Sequence, residues 1–137
     1  MSSYAEGENY RFTLVAGRAG CVVWRRRDLD SNAGARSAEG MLVHFRALAE
    51  DPEVRSFLLD IRKAPPFSGP RTQQALGLAF AAFEGNRTPI AVLPASVLQG
   101  LQIQRSLALH APLYGRDFSS AILAEDWLKS LSKSPES

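Results

Sequence analysis

At 137 residues the chain has the length of a single domain. Apolar residues make up 45% and charged residues 22% of it, the balance of a globular chain with one buried core rather than of a fibrous or disordered one. The net charge is only +2, with positive charge gathered at Arg25-Arg26-Arg27 beside Trp24, which argues against the long basic face of a nucleic-acid binder.

The longest apolar runs, such as residues 78–83, are too short to cross a bilayer, so no stable membrane insertion is expected. The first eight residues carry neither the basic start nor the apolar stretch of a secretory leader. A single cysteine, Cys21, allows no internal disulfide and no zinc motif, which fits a reducing cytoplasm.

Residues 1–9 are polar and are expected to form a flexible N-terminus. Residues 10–16 then alternate apolar and polar side chains, as a half-buried strand does. Residues 17–20 supply a turn and residues 21–24 a second strand, so the pair reads as a hairpin. A polar connection over 28–34 leads to a helix for which Ser37 is the candidate cap. Met41, Phe45 and Leu48 form its apolar stripe, and it ends before Pro52. His44 lies one position off that stripe and reads as a boundary residue.

Residues 54–61 read as a strand buried on both faces, as in a parallel sheet. The loop Lys63-Ala-Pro-Pro-Phe-Ser-Gly-Pro70 follows, with Ser68 or Gly69 as cap and Pro70 in the first turn of the next helix. Leu76, Phe80 and Phe83 form the buried stripe of that helix, and Gly85-Asn86 closes it. Residues 89–93 are a second buried strand. Ser96 caps a helix running to about His110, and residues 113–118 contain a short last strand. Ser119 or Ser120 caps a final helix expected to bury Leu123, Trp127, Leu128 and Leu131, before a flexible polar tail over 132–137. The resulting class is α/β: a β-hairpin followed by alternating helices and strands, giving a mixed, mostly parallel sheet with helices packed on it, in one domain over 10–131. The direction of the second strand relative to the later ones stays open.

The segment Leu48-Ala-Glu-Asp-Pro-Glu-Val-Arg-Ser-Phe-Leu-Leu-Asp-Ile-Arg62, with its helix end, Asp-Pro turn and Asp-ended strand, resembles the STAS superfamily of sulfate-transporter and anti-sigma-antagonist domains. Gly100-Leu-Gln-Ile-Gln-Arg105, and Phe118 with Ala124 and Trp127-Leu128, resemble its later helices. The stand-alone bacterial members described as SpoIIAA-like are the nearest in outline. The resemblance implies a STAS-like fold over residues 10–130 and a non-enzymatic, cytoplasmic signalling module. It further implies a protein partner, either a kinase-like anti-sigma factor or another regulator. Its phosphoacceptor position falls on Ser68, with Thr72 second, flanked by Gly69, Asp60 and Arg62. A phosphate there would meet a helix N-terminus, whose free amides favour anions. The plainer reading of Ser68 is a capping serine.

No catalytic residue, metal ligand or cofactor is assigned. His44 and His110 fall on different helices, Ser68 lies outside any nucleophile-elbow phrase, and Cys21 sits within a strand. An alternative is a small-molecule or lipid carrier, with Phe80, Phe83, Leu98 and Leu101 lining a cavity of about 300 Å³ or more. A homodimer through the first hairpin is also compatible with the pattern.

Overall fold

In a computed structural model, the structure describes residues 3–25, 31–64 and 69–131. The chain runs β1 (Ser3–Glu6), β2 (Tyr10–Val15), β3 (Arg18–Trp24), α1 (Ser31–Glu50), β4 (Ser56–Lys63), α2 (Pro70–Gly85), β5 (Ile90–Leu93), α3 (Val97–His110), β6 (Gly115–Asp117) and α4 (Ala121–Leu131).

The hairpin turns two residues long. Val15 pairs with Arg18, so Ala16 and Gly17 form the loop, with φ of 51° and 86°. Positive φ at both central positions suits the right-handed twist of the flanking strands. The turn therefore sits earlier than the expected 17–20, and β3 begins at Arg18 rather than Cys21. Gly20 lies within the strand instead, where an added Cβ would come 3.3 Å from Thr13 Oγ1 and 3.4 Å from the Leu58 carbonyl oxygen. It serves close backbone approach rather than a turn.

The six strands lie in the order β1-β2-β3-β4-β5-β6. Strand β2 runs antiparallel to both β1 and β3, and β3 through β6 are parallel. The mixed, mostly parallel α/β sheet is thus as expected, and β3 takes the parallel direction. Because each later strand is added on the same side of its predecessor, three right-handed crossovers place α1, α2 and α3 on one face. On that face Phe12, Cys21, Phe57, Leu59, Ile90 and Val92 pack with Phe45 and Leu48 of α1, Phe80 and Phe83 of α2, and Ile103 and Leu107 of α3. The phenylalanine rings meet edge-on or tilted, with Phe57 and Phe83 4.8 Å apart and Phe12 and Phe45 5.1 Å apart.

Helix α4 packs on the opposite face of the sheet. Its Ala124 and Leu128 cover Ala91 and Leu93, with Leu58, Phe118 and Trp127 at the margin. Arg18 ties this helix to the hairpin, donating from Nε to Ser56 Oγ at 2.7 Å and pairing through Nη1 with Glu125.

Three expectations need correction. A strand precedes Tyr10: Glu6 opposes Arg11 and pairs with it at 2.8 Å, Ala5 packs on the core, and the Tyr4 ring lies edge-on to His44 at 6.1 Å. Next, α1 starts at Ser31, so Ser37 lies inside it and donates to Asn9 Oδ1 at 2.5 Å instead of capping. The buried Ala35 and Ala38 extend the stripe backward, but side chains that small give little apolar signal. Finally, α4 buries Ala124 and Leu128 while Leu123 and Leu131 remain 54% and 43% exposed. A helix whose main contacts among the described residues are with strands β4 and β5 needs only a narrow stripe.

Other features hold. Pro70 stands at the start of α2 with Gly69 as its cap residue, and the helix ends at Gly85 followed by Asn86. The Ser96 side chain accepts from the Gln99 amide, capping α3.

Candidate partner-binding surface

The carboxyl ends of parallel strands are where open α/β sheets present ligand-binding loops, and the candidates read from the sequence cluster at that end. Between the pairs Val22–Asp60 and Trp24–Lys63, β4 advances three residues while β3 advances two. This bulge frees the Arg62 amide from the ladder. The Asp60 carboxylate takes it, with Oδ1 accepting from Arg62 N at 3.1 Å and Nε at 3.0 Å, and Oδ2 from Nη2 at 2.8 Å. These side-chain bonds hold the Asp60 carboxyl below the usual range against the opposing effect of burial, and the Arg62 guanidinium is raised in turn. With both oxygens engaged by the same arginine, Asp60 is an anchor for the strand end.

Strand alternation puts Leu59 and Ile61 in the core beneath α1 to α3 and Leu58 in the α4 cluster, so Asp60 points to the α4 side. Gly69 and Thr72, by contrast, begin α2 on the other side of the sheet. Gly69 has extended backbone and accepts from the Gln73 amide at 3.1 Å; an added Cβ there would meet nothing within 4 Å. Thr72 is half-buried on the first turn. Beside it, Arg71 forms a bidentate pair with Glu39 of α1, Nη2 to Oε1 at 2.6 Å. Ser68 lies outside the described residues. The Asp60–Arg62 pair and the start of α2 thus share one end of the sheet but lie on opposite faces of it.

The other chemically capable side chains have packing roles. Cys21 is 1% exposed, and burial pushes its thiol far up, away from the reactive thiolate. His44 is a boundary residue, as expected, with its ring 5.2 Å from Phe12 and 6.3 Å from Tyr10. His110 lies over Gly77 of α2, where a Cβ would come 2.7 Å from its Nε2. Among the described residues no group of three or more His, Cys, Asp or Glu side chains is placed to hold a metal ion. No helix among them is long and apolar enough to cross a membrane. A surface pocket of about 260 Å³ is lined by Gly7, Glu8, Tyr10, Ala33, Arg36 and Ser37. It does not involve the four residues expected to line a carrier cavity. Of those, Phe80 and Phe83 are sealed in the core, whereas Leu98 and Leu101 face outward.

That outward placement marks the surface that sequence reasoning missed. Helix α3 starts rigidly: Ser96 Oγ accepts from the Gln99 amide at 3.1 Å, and Gln99 Oε1 accepts from the Ala95 amide at 2.5 Å. From this fixed start Val97 is 83% exposed, Leu98 65%, Leu101 55% and Leu109 74%, although Ile103 and Leu107 on the inner side are buried. Leu98, Leu101, Arg105 and Leu109 follow at i, i+3, i+7 and i+11, one line along the helix. A helix with one buried stripe ordinarily carries polar residues on the opposite face. The signal was present as leucines both on and off the inner stripe, but apolar identity alone does not separate an inward from an outward leucine.

Comparison of this chain with protein-family models, with curated proteins and with solved structures finds no match.

Proposed function

We propose that this chain is a non-enzymatic interaction module of STAS-like type that binds a protein regulator, docking it through the outward face of α3. The observation that carries this reading is the line of exposed leucines on a capped, firmly packed helix. Exposed aliphatic groups gathered on one element mark a surface that gains by being covered. Three further features support it. The Asp60 carboxylate is saturated by Arg62, the Cys21 thiol is buried, and the two histidines pack against neighbouring elements, so these groups serve the scaffold. The hairpin followed by β-α alternation is the order that the STAS resemblance implies. A kinase-like anti-sigma factor is the partner class that this resemblance implies.

The test is affinity capture from the source cells with the wild type, Leu101→Glu and Ser68→Asp as baits. The expected result is a specific protein retained by the wild type and lost with Leu101→Glu. Recovery of the same proteins in the same amounts by wild type and Leu101→Glu removes α3 as the docking face. Ser68→Asp reports separately on the start of α2: unchanged recovery there rules out Ser68 as a switch and leaves α3 in place.

A further inference from the structure

We infer that the pocket between the β1–β2 turn and the start of α1 is a binding site for a small zwitterion of the amino-acid class. Its volume of about 260 Å³ is just below the range of about 300–1,000 Å³ usual for drug-sized ligands, which suits a smaller molecule. It lies at the carboxyl end of the parallel strand β3, where open α/β sheets take ligands. Asn9, 4% exposed, ties its walls together. The Asn9 side-chain amide donates to the Trp24 carbonyl at 3.3 Å, and its backbone carbonyl accepts from the Trp24 amide at 2.9 Å. Its Oδ1 accepts from Ser37 Oγ of α1 at 2.5 Å. Gly7 lies so close on the Tyr10 ring that a Cβ would stand 2.1 Å from Cε2 and 2.7 Å from the hydroxyl oxygen. The hydroxyl end of the ring therefore borders the pocket beside Gly7. Tyr10 is 9% exposed, yet its hydroxyl forms no hydrogen bond among the described residues.

The polar side chains that line this space, Glu8, Tyr10, Arg36 and Ser37, set the chemistry of the ligand. A hydroxyl on so deeply buried a side chain has little water to bond, and a ligand acceptor supplies the missing partner. Burial raises the Tyr10 hydroxyl above its usual range, with Cys21 adding to the effect, so it stays protonated and donates. Ser37 gives its proton to Asn9, so its oxygen is left to accept. Glu8 and Arg36 pair neither with each other nor with any other described residue. The nearby acids are taken: Glu39, three positions along α1 from Arg36, pairs with Arg71, and Glu6 pairs with Arg11. A simple anion in the pocket would face Glu8, and a simple cation would face Arg36. A molecule with both charges satisfies each wall. Its carboxylate takes Arg36 and the Tyr10 hydroxyl, and its ammonium takes Glu8 and the Ser37 oxygen. Helix α2 stands between α1 and α3, so this site is separate from the docking face and does not depend on it.

The experiment is isothermal titration calorimetry on the full chain with each standard amino acid at millimolar concentration. Any that binds is compared with the amine that lacks its carboxylate and the acid that lacks its amino group. One or more amino acids are expected to bind, and both truncated analogues to fail at the same concentration. Tyr10→Phe keeps the ring and removes a hydroxyl that holds nothing in the fold, and Arg36→Gln removes an exposed charge. Each is expected to weaken binding about tenfold, and thermal melts confirm that both variants fold. Glu8→Gln is expected to narrow the gap between the amino acid and its acid analogue. Binding of no amino acid overturns the inference, as does an analogue that binds as well as its parent. Unchanged affinity in either Tyr10→Phe or Arg36→Gln also overturns it, because the ligand then sits elsewhere on the molecule.

Discussion

Helices α1 and α3 sit on the same face of the same sheet and solve the same inner problem, yet their outer faces differ. Inward, α1 presents Ala35, Ala38, Phe45 and Leu48, and α3 presents Ile103 and Leu107; all are buried. Outward, α1 carries Arg36, Glu39, Arg46 and Glu50, with Glu39 paired to Arg71, and Val43 as its exposed apolar residue. In the same situation α3 carries Val97, Leu98, Leu101 and Leu109. The fold requires only the inner stripes. Beyond the pocket at its start, the charged surface of α1 is what a helix shows when nothing further is asked of it, so the leucines of α3 call for an explanation outside folding.

The contrast can be broken at several points. The largest effect belongs to the shared core: Phe57→Ala, which removes a ring touching Phe12, Phe45 and Phe83, is expected to cost about 3–5 kcal/mol in urea unfolding. Within α3 alone, Leu107→Ala on the inner side should cost about 2–4 kcal/mol, and Leu101→Ala on the outer side less than about 0.5 kcal/mol. Equal costs for the two leucines would remove the distinction between the faces. In the hairpin, Ala16 adopts a left-handed conformation that a Cβ disfavours, so Ala16→Gly should raise the unfolding midpoint by the equivalent of about 0.5–1 kcal/mol.

The smallest effect is electrostatic. The folded carboxyl of Asp60 titrates below its unfolded value, so its contribution is present above about pH 4 and is lost as pH falls through the lower folded value. Both partners touch solvent, which keeps the contribution under about 1 kcal/mol. Asp60→Asn should lower stability slightly at pH 6 and by less at pH 2. A wild type and variant that stay equally far apart at both pH values would show that the pair acts through packing rather than charge.

How much of this was legible in the sequence depended on whether a local signal determined the feature. The ends of α2 were readable because Pro70 and the Gly85-Asn86 pair act through backbone geometry, and Ser96 marked the start of α3 for the same reason. Strand β1 was not, because its four residues gain their place from one alanine, one tyrosine against His44 and a cross-strand ion pair, all visible only once β2 is beside them. The candidate surface was hidden by a different ambiguity. Leu98 and Leu101 read as cavity lining and Leu123 and Leu131 as core, because burial of a leucine is decided by which elements pack beside it, and local pattern does not carry that information.

The edges of the sheet have a consequence for how such a molecule stays dispersed. Strand β6 is three residues long, and β1 is four residues long with its register broken between Ser3 and Ala5. Short or bulged margins make poor templates for an incoming strand, so copies crowded together in a cell have little backbone to zip onto. A protein that keeps a row of leucines open to water thus closes off the commoner route to aggregation at both ends of its sheet.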